Sequence, residues 1–285
     1  MGLSQHRWTL NAGTVQKEFL RPAVMGVLNL TPDSFYDGGS WTQEERIVQR
    51  VEEMIREGVD IIDIGAESTR PGSLPVSVEE ELDRLRPVFE SMAGFLDSVL
   101  FSIDTVKPEV ARVALDHGVS IVNNVSGRLD AFPVAEVAAE YGAAYVFMHA
   151  QGTPETMQEN PSYEDVVEEV ARYFVLGLEK LKGLSLGTIL LDPGIGFGKR
   201  LEHNLSLIQH LNRFQEFDLP ILVGASRKSM IGQLLGGAEP EDRLYGTIAV
   251  HYEALRNGAH VLRVHDVRAA SDSIRIAMAF LDSKE

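Results

Sequence analysis

Apolar and polar positions along the chain follow two alternating periods. Short, β-branched apolar runs end at Leu30 (AVMGVLNL), Ala66 (DIIDIGA), Thr105 (VLFSIDT), Val125 (SIVNNV), Ala150 (AYVFMHA), Gly194 (TILLDPG), Ser226 (PILVGAS) and Asp266 (HVLRVHD). Continuous runs of this kind predict strands buried on both faces, as parallel strands are. Between them the apolar positions recur at helical spacing. In EERIVQRVEEMIREG, Ile47, Val51, Met54 and Ile55 fall on one face and Gly58 supplies a C-terminal stop. Eight strand-then-helix units predict an α/β fold, a (β/α)8 TIM barrel, with a doubly wound open sheet as the alternative. The first 20 residues break the pattern. RWTLN and TVQKEF flank Ala12-Gly13 and predict an N-terminal β-hairpin, within residues 1–20, that closes the bottom of the barrel. Residues 1–285 together read as one barrel domain.

Composition narrows the partners. At 285 residues and 44% hydrophobic, the chain can bury one large core. A formal net charge of −16, with no basic stripe or tail to offset it, disfavours nucleic acid and anionic membranes. Without cysteine there is neither a disulfide framework nor a thiolate zinc site. MGLSQHRWTL lacks the apolar run of a signal peptide, and no stretch approaches a membrane span, so a soluble cytoplasmic protein is expected.

The working face of such a barrel is the C-terminal end of its strands. At or just after the strand ends stand Asn29, Asp37, Glu67, Thr69, Arg70, Asp104, Asn123, Asn124, His149, Asp192, Ser226, Arg227, Lys228, Arg263, His265 and Asp266. Singly, each has a plainer reading. Asp104 suits the turn before a helix opening at Pro108, Ser226 and Ser229 suit helix caps, and Asn123 and Asn124 can satisfy loop backbone. His149 suits a core position, and Glu67 can hold Arg70. Gathered at eight strand ends, they point to a site.

The loops then sort by chemistry. GASRKSMIG sets Arg227 and Lys228 at a strand-to-helix junction, suited to an anion or to a planar ring bearing a carboxylate. Arg263 and His265 alternate along the last strand, with Asn29 on its neighbour in a closed barrel, and together suit phosphate or pyrophosphate. Asp104, Asn123 and Asp192 match a nitrogen-rich ring with adjacent N–H donors. Gly194, Gly196 and Gly198 in LLDPGIGFGKR clear room for a second reactant. The first strand carries no His-x-His, and GIGFG lacks the spacing and acidic partner of a dinucleotide fingerprint. No serine sits in a nucleophile elbow and no carboxylate pair suits glycoside chemistry, so covalent catalysis is not the natural reading.

NLTPDSFYDGG, GAESTRPGSLPVSVEEEL, FSIDT, MHAQGTPETMQ, LDPGIGFGK, GASRKSMIG and RVHDV resemble the dihydropteroate synthase family from about Val24 to Val267. That resemblance implies condensation of 6-hydroxymethyl-7,8-dihydropterin pyrophosphate with p-aminobenzoate, with Mg²⁺ as cofactor, Asn29 beside it, and a homodimer. It implies pterin contacts from Asp104, Asn123, Asp192 and Lys228, and pyrophosphate contacts from Asn29, Arg70, Arg263 and His265. Thr69, Pro71, Phe197 and Ser229 match positions that shape the p-aminobenzoate site, and Asp37 one associated with its amine. Catalytic roles would fall to Asp37, Lys228, Arg263 and His265. Two positions depart from the pattern: Asn124, where the family usually has Asp, and Tyr36, where it usually has Ser. A pterin-dependent methyltransferase on the same barrel and a non-catalytic pterin-binding paralogue are the alternatives.

Overall fold

The computed structural model of the chain describes residues 6–30, 42–68, 73–127, 132–152 and 156–282. Strands β1 (Trp8–Ala12) and β2 (Val15–Phe19) pair antiparallel as the expected hairpin. Then follow β3 (Ala23–Asn29), α1 (Gln43–Glu57), β4 (Ile61–Gly65), α2 (Val78–Met92), β5 (Leu100–Asp104), α3 (Pro108–Asp116), β6 (Ile121–Asn124) and α4 (Pro133–Glu140). The second half runs β7 (Ala144–Met148), α5 (Val166–Leu181), β8 (Ile189–Asp192), α6 (Leu201–Gln209), β9 (Leu222–Val223), α7 (Ser229–Leu234), α8 (Leu244–Arg256), β10 (Val261–Val264) and α9 (Val267–Asp282). The parallel sheet is ordered β8-β7-β6-β5-β4-β3-β10-β9, and a bridge between Leu191 and Ile221 joins its two ends. Sequential neighbours and near-closure make this a TIM barrel and not a doubly wound sheet.

Every strand stops one or more residues short of the apolar run that announced it, although Leu30, Thr105 and His149 still donate from their backbones to Gly65, Asn123 and Asp192 of the neighbouring strands. β9 is the shortest at two residues, following Pro220, which has no N–H to give to a ladder. The helices start and stop on local signals. Thr42 and Glu45 form a capping box at the start of α1, and Gly58 ends it at φ 93°. Ile47, Val51 and Met54 are buried as the spacing predicted, and Ile55 is partly so.

Strand pleating divides the apolar side chains between two cores. Outward-facing Val24, Ile62, Phe101, Val122, Leu191 and Leu262 pack beneath the helices. Inward-facing Met25, Ile61, Leu100, Ile121, Leu190 and Val261 fill the barrel bottom together with Trp8, Leu10 and Phe19 of the hairpin. Trp8 stacks on Phe19 with ring centroids 4.4 Å apart. The hairpin is tied to the barrel by Asn11 N–H to Thr188 Oγ1 and Thr188 N–H to Asn11 O, both 2.8 Å, and by Gly13 N–H to Gly142 O at 2.7 Å. The bottom is therefore sealed with apolar groups, and polar inward positions are left only nearer the mouth.

Helix α5 rests on β7 through an absent side chain. A Cβ at Gly177 would lie 2.0 Å from the Phe147 ring, which is itself stacked on Tyr173 at 5.0 Å. Gly177→Ala is expected to lower stability by about 1–3 kcal/mol through overpacking. Urea denaturation should show a lower midpoint at unchanged slope, and an unchanged midpoint would mean that the helix can lift without cost.

Candidate active site

One pleat above the apolar floor, the inward positions become Asp63, Ser102, Asn123, Asp192 and Arg263. Arg263 donates from Nε to Asp63 Oδ2 and from Nη2 to Asp104 Oδ2, each at 2.7 Å. Asn123 Nδ2 donates to the same Asp63 oxygen at 3.0 Å. Asp63 is fully buried and Asp104 nearly so. Burial pushes the Asp104 carboxyl up to about 7, with Arg263 opposing and Asp63 reinforcing the shift. Asp63 Oδ1, Asp104 Oδ1, Asn123 Oδ1 and Ser102 Oγ are buried with no hydrogen-bond partner among the described residues. This row of acceptors meets the demand of a flat ring with several N–H groups.

Asp192 ends β8, and its Oδ1 accepts from the N–H of Gly194 at 2.7 Å. Burial raises its pKa against the pull of Lys228 and Lys199. The glycines that follow all adopt positive φ: 69° at Gly194, 84° at Gly196 and 62° at Gly198. Space forbids a side chain as firmly as the backbone angle does. A Cβ at Gly194 would fall 1.8 Å from His149 O, and one at Gly198 2.2 Å from Gln151 O. Side chains from other elements hold this loop by its backbone. Gly196 donates to Asn204 Oδ1 at 2.7 Å and accepts from Gln158 at 2.8 Å, Gly198 accepts from Tyr163 at 2.8 Å, and Phe197 accepts from Lys199 at 3.0 Å.

Two lysines meet that loop. Lys228 donates from Nζ to Ile195 O and lies 4.5 Å from the centre of the Phe197 ring. Burial lowers its pKa to about 8, although Asp192 pulls the other way. Lys199, only 3% exposed, places Nζ 2.9 Å from His149 Nδ1, and burial lowers it to about 7. His149 is held well below its ordinary pKa, first by burial and then by Lys199, so its neutral ring accepts at Nδ1.

On the anion side, Asn29 Oδ1 and Asp104 Cβ each stand 3.6 Å from where a Gly65 side chain would begin, so the small residue lets them approach. His265 Nδ1 and N–H both meet Ser226 Oγ, at 3.0 and 3.2 Å. Ser226 is thus engaged across strands and not as a cap, while Lys228 holds the cap position of α7 with no capping side-chain bond and Ser229 opens the helix. Asp104 likewise faces the barrel, and Lys107 precedes Pro108 at the start of α3. Glu67 accepts from Lys107 at 2.8 Å and from Val76 N–H at 2.9 Å, a scaffold role. Asn124 faces outward: it donates to Tyr145 Oη at 2.7 Å and accepts from Ser126 N–H at 3.0 Å. Tyr36, Asp37, Thr69, Arg70 and Pro71 lie outside the described residues.

The structure thus brings Asp104, Asn123, Asp192, Lys228 and Arg263 into one polar interior, with Asn29, Phe197, Ser229 and His265 at loops or strand ends around it. The sequence grouped Arg263 with Asn29 and His265, whereas its guanidinium is bonded to the ring-facing carboxylates. Asp63 and Lys199 were missed. Asp63 carried a signal, being a charge inside the run DIIDIGA at the inward parity of Ile61. Lys199 carried none, since a lysine beside Arg200 reads as surface. Among the described residues no three of His, Asp or Glu gather as a metal cage. Asn29 offers one amide oxygen, which fits an ion such as Mg²⁺ that takes most of its ligands from phosphate and water.

Residues 25–265 match a family described as pterin-binding enzymes, which defines the class. The chain is 48% identical over 266 residues to the dihydropteroate synthase of Escherichia coli K12, covering 93% of both chains. The Yersinia pestis dihydropteroate synthase, solved with a sulfonamide drug, superposes with a TM-score of 0.87 at 41% identity, covering 96% of this chain and 99% of that one. The Xanthomonas albilineans synthase with 4-aminobenzoic acid gives 0.87 at 39%, covering 95% and 97%. The chain belongs to the dihydropteroate synthase family.

Gly194→Ala is expected to destabilise the fold by about 1–3 kcal/mol, because the left-handed angle and the His149 carbonyl both oppose a Cβ. Thermal unfolding would show it, and a parental midpoint would mean that the loop is free to move.

Proposed function

We infer that the chain catalyses the condensation of 6-hydroxymethyl-7,8-dihydropterin pyrophosphate with p-aminobenzoate, giving 7,8-dihydropteroate and pyrophosphate, as a transferase of folate biosynthesis. The observation that carries this reading is the row of buried acceptors at Asp63, Asp104 and Asn123 that have no partner among the described residues, with Asp192 and Lys228 in the same interior. A pterin ring presents N–H donors along one edge, and its recognition needs such acceptors more than apolar surface.

Asp104, Asn123 and Asp192 accept from the ring, and Lys228 adds a donor beside Phe197. Asn29, Arg70, His265 and the edge of the Arg263 guanidinium not bonded to Asp63 or Asp104 receive the pyrophosphate. When the C–O bond breaks, its electron pair leaves with the pyrophosphate and a methylene cation conjugated with the electron-rich dihydropterin remains. The lone pair of the aniline nitrogen then forms the new C–N bond. That nitrogen is unprotonated at neutral pH, so no strong base is required before attack, and Asp37 or the released pyrophosphate takes the proton afterwards. The ring of p-aminobenzoate lies against Phe197, with Thr69, Pro71 and Ser229 around it, and orientation is the chief demand. Mg²⁺ bound with the pyrophosphate would neutralise part of its charge, with Asn29 as a protein oxygen donor.

A cytoplasmic homodimer acting on small molecules is part of this proposal. No helix among the described residues is long and apolar enough to cross a membrane. Leu234, Leu235 and Tyr245 expose apolar side chains around α7 and α8, which supports a partner copy.

A coupled assay should record pyrophosphate release only when both substrates are present, with a sulfonamide competing against p-aminobenzoate. Methyl transfer from methyltetrahydrofolate without pyrophosphate release would overturn the assignment. Asp192→Ala should weaken pterin binding by about 2–4 kcal/mol, the cost of leaving buried donors unpaired. Calorimetry on the folded variant checks this, and unchanged affinity removes Asp192 from ring recognition. Protonation of Asp104 near 7 removes an acceptor as pH falls, and deprotonation of Lys228 near 8 removes a cation as pH rises. The kcat/KM for the pterin substrate should therefore decline on both the acid and the alkaline side, and Lys228→Met should flatten the alkaline limb. A profile with no alkaline decline in the parent would contradict the role given to Lys228.

A further inference from the structure

Arg227 is a non-glycine residue in the left-handed region, at φ 57°, a conformation that a Cβ disfavours. Its backbone is pinned on both sides. The N–H donates to Thr247 Oγ1 at 3.0 Å, and the carbonyl accepts from Arg243 Nη1 at 2.9 Å. Arg243 in turn donates from Nε to Ala238 O at 2.7 Å. The Arg227 guanidinium takes both oxygens of Asp266, Nε to Oδ2 at 2.9 Å and Nη2 to Oδ1 at 2.5 Å. Such a fork fixes orientation as well as distance.

The neighbours on either side serve the site. Ser226 holds His265 at both its N–H and Nδ1, and Lys228 reaches Ile195 O and the face of Phe197. Asp266 directly follows His265 in the chain. Two parallel ties therefore join the loop after β9 to the loop after β10: Ser226 to His265, and Arg227 to Asp266. One loop carries the amine on the pterin side and the other the imidazole on the anion side.

We propose that Arg227 is a positioning residue, whose left-handed turn and clamp on Asp266 hold the Lys228 amine and the His265 imidazole at a fixed separation spanning ring and pyrophosphate. This rests on the reaction assigned above. The clamp acts through the residues beside it, Lys228 and His265.

Steady-state kinetics on the full chain tests it with Asp266→Asn, Arg227→Gly, Arg227→Ala and the double variant Arg227→Gly/Asp266→Asn. Folding of each is checked by circular dichroism and thermal midpoint. Asn serves before a helix as well as Asp does, so Asp266→Asn removes the charge and one of the two acceptor oxygens of the clamp and leaves the start of α9. In Asp266→Asn the kcat/KM for dihydropterin pyrophosphate should fall about 10- to 100-fold. Arg227→Gly should retain more activity than Arg227→Ala, because glycine relieves the backbone while both lose the clamp. The double variant should be no worse than Arg227→Gly alone, since the two residues share one interaction. Parental kcat/KM in folded Asp266→Asn, or fully additive losses in the double variant, overturns the proposal. Calorimetric binding of inorganic pyrophosphate is read in parallel and should weaken in Asp266→Asn. If the parent releases no pyrophosphate on turnover, the assigned reaction fails, and unchanged binding of inorganic pyrophosphate in Asp266→Asn then sinks the clamp independently.

Discussion

A single guanidinium makes a polar barrel interior tolerable. Asp63 and Asp104 lie where the outer strand faces and the hairpin floor exclude water, and two buried carboxylates close together would each cost several kcal/mol to ionise alone. Arg263 sits between them with a bond to each, and it keeps its charge at any accessible pH. Asn123 completes the arrangement by donating to Asp63, which leaves its own oxygen and the second oxygens of both carboxylates unspent among the described residues. Lys228 and Lys199 perform a similar service for Asp192. Three cations thus face three carboxylates inside a chain whose formal net charge is −16.

The wall opposite is built from backbone. The glycine segment after β8 has almost no side chains of its own with which to hold a shape. Its carbonyls and N–H groups are instead bound by Asp192, Asn204, Gln158, Tyr163, Lys199 and Lys228. Glycine supplies the angles and the clearance, and distant polar side chains supply the rigidity. The result is a thin, fixed wall that presents the face of Phe197, with Lys228 close against it. Lys199 is the least expected member, a buried lysine that grips a carbonyl and a neutral histidine and forms no direct ion pair among the described residues. Its depressed pKa follows from that environment.

Asn124 shows how strand parity sorts neighbours of similar chemistry. Asn123 and Asn124 are adjacent in β6, yet the first faces the barrel interior and the second the helical layer, where it meets Tyr145. The departure from the family pattern at this position therefore removes no carboxylate from the interior. An Asn donates to the Tyr145 oxygen, whereas an ionised Asp would have to accept from it, so the outer contact is kept with its polarity changed.

Eight apolar runs, helical spacing between them and a glycine-marked hairpin before them were enough to predict the barrel, because side-chain period and turn chemistry are local properties of the chain. The polar residues at strand ends were legible for a related reason: parallel strands of a barrel all deliver their C-terminal residues to one face. Asp104, Asn123, Asp192, Lys228 and Arg263 were identified in this way, and the family by its long motifs. Pairing was decided only by the tertiary structure. That Arg263 bonds Asp63 and Asp104, that Lys199 is buried against His149, that Glu67 serves Lys107, and that Arg227 is bent left-handed onto Asp266 all depend on groups tens to hundreds of residues apart. Each is set by where barrel closure places side chains in a space without water, where a charge must find a partner, and that distance relation is not written in any local period.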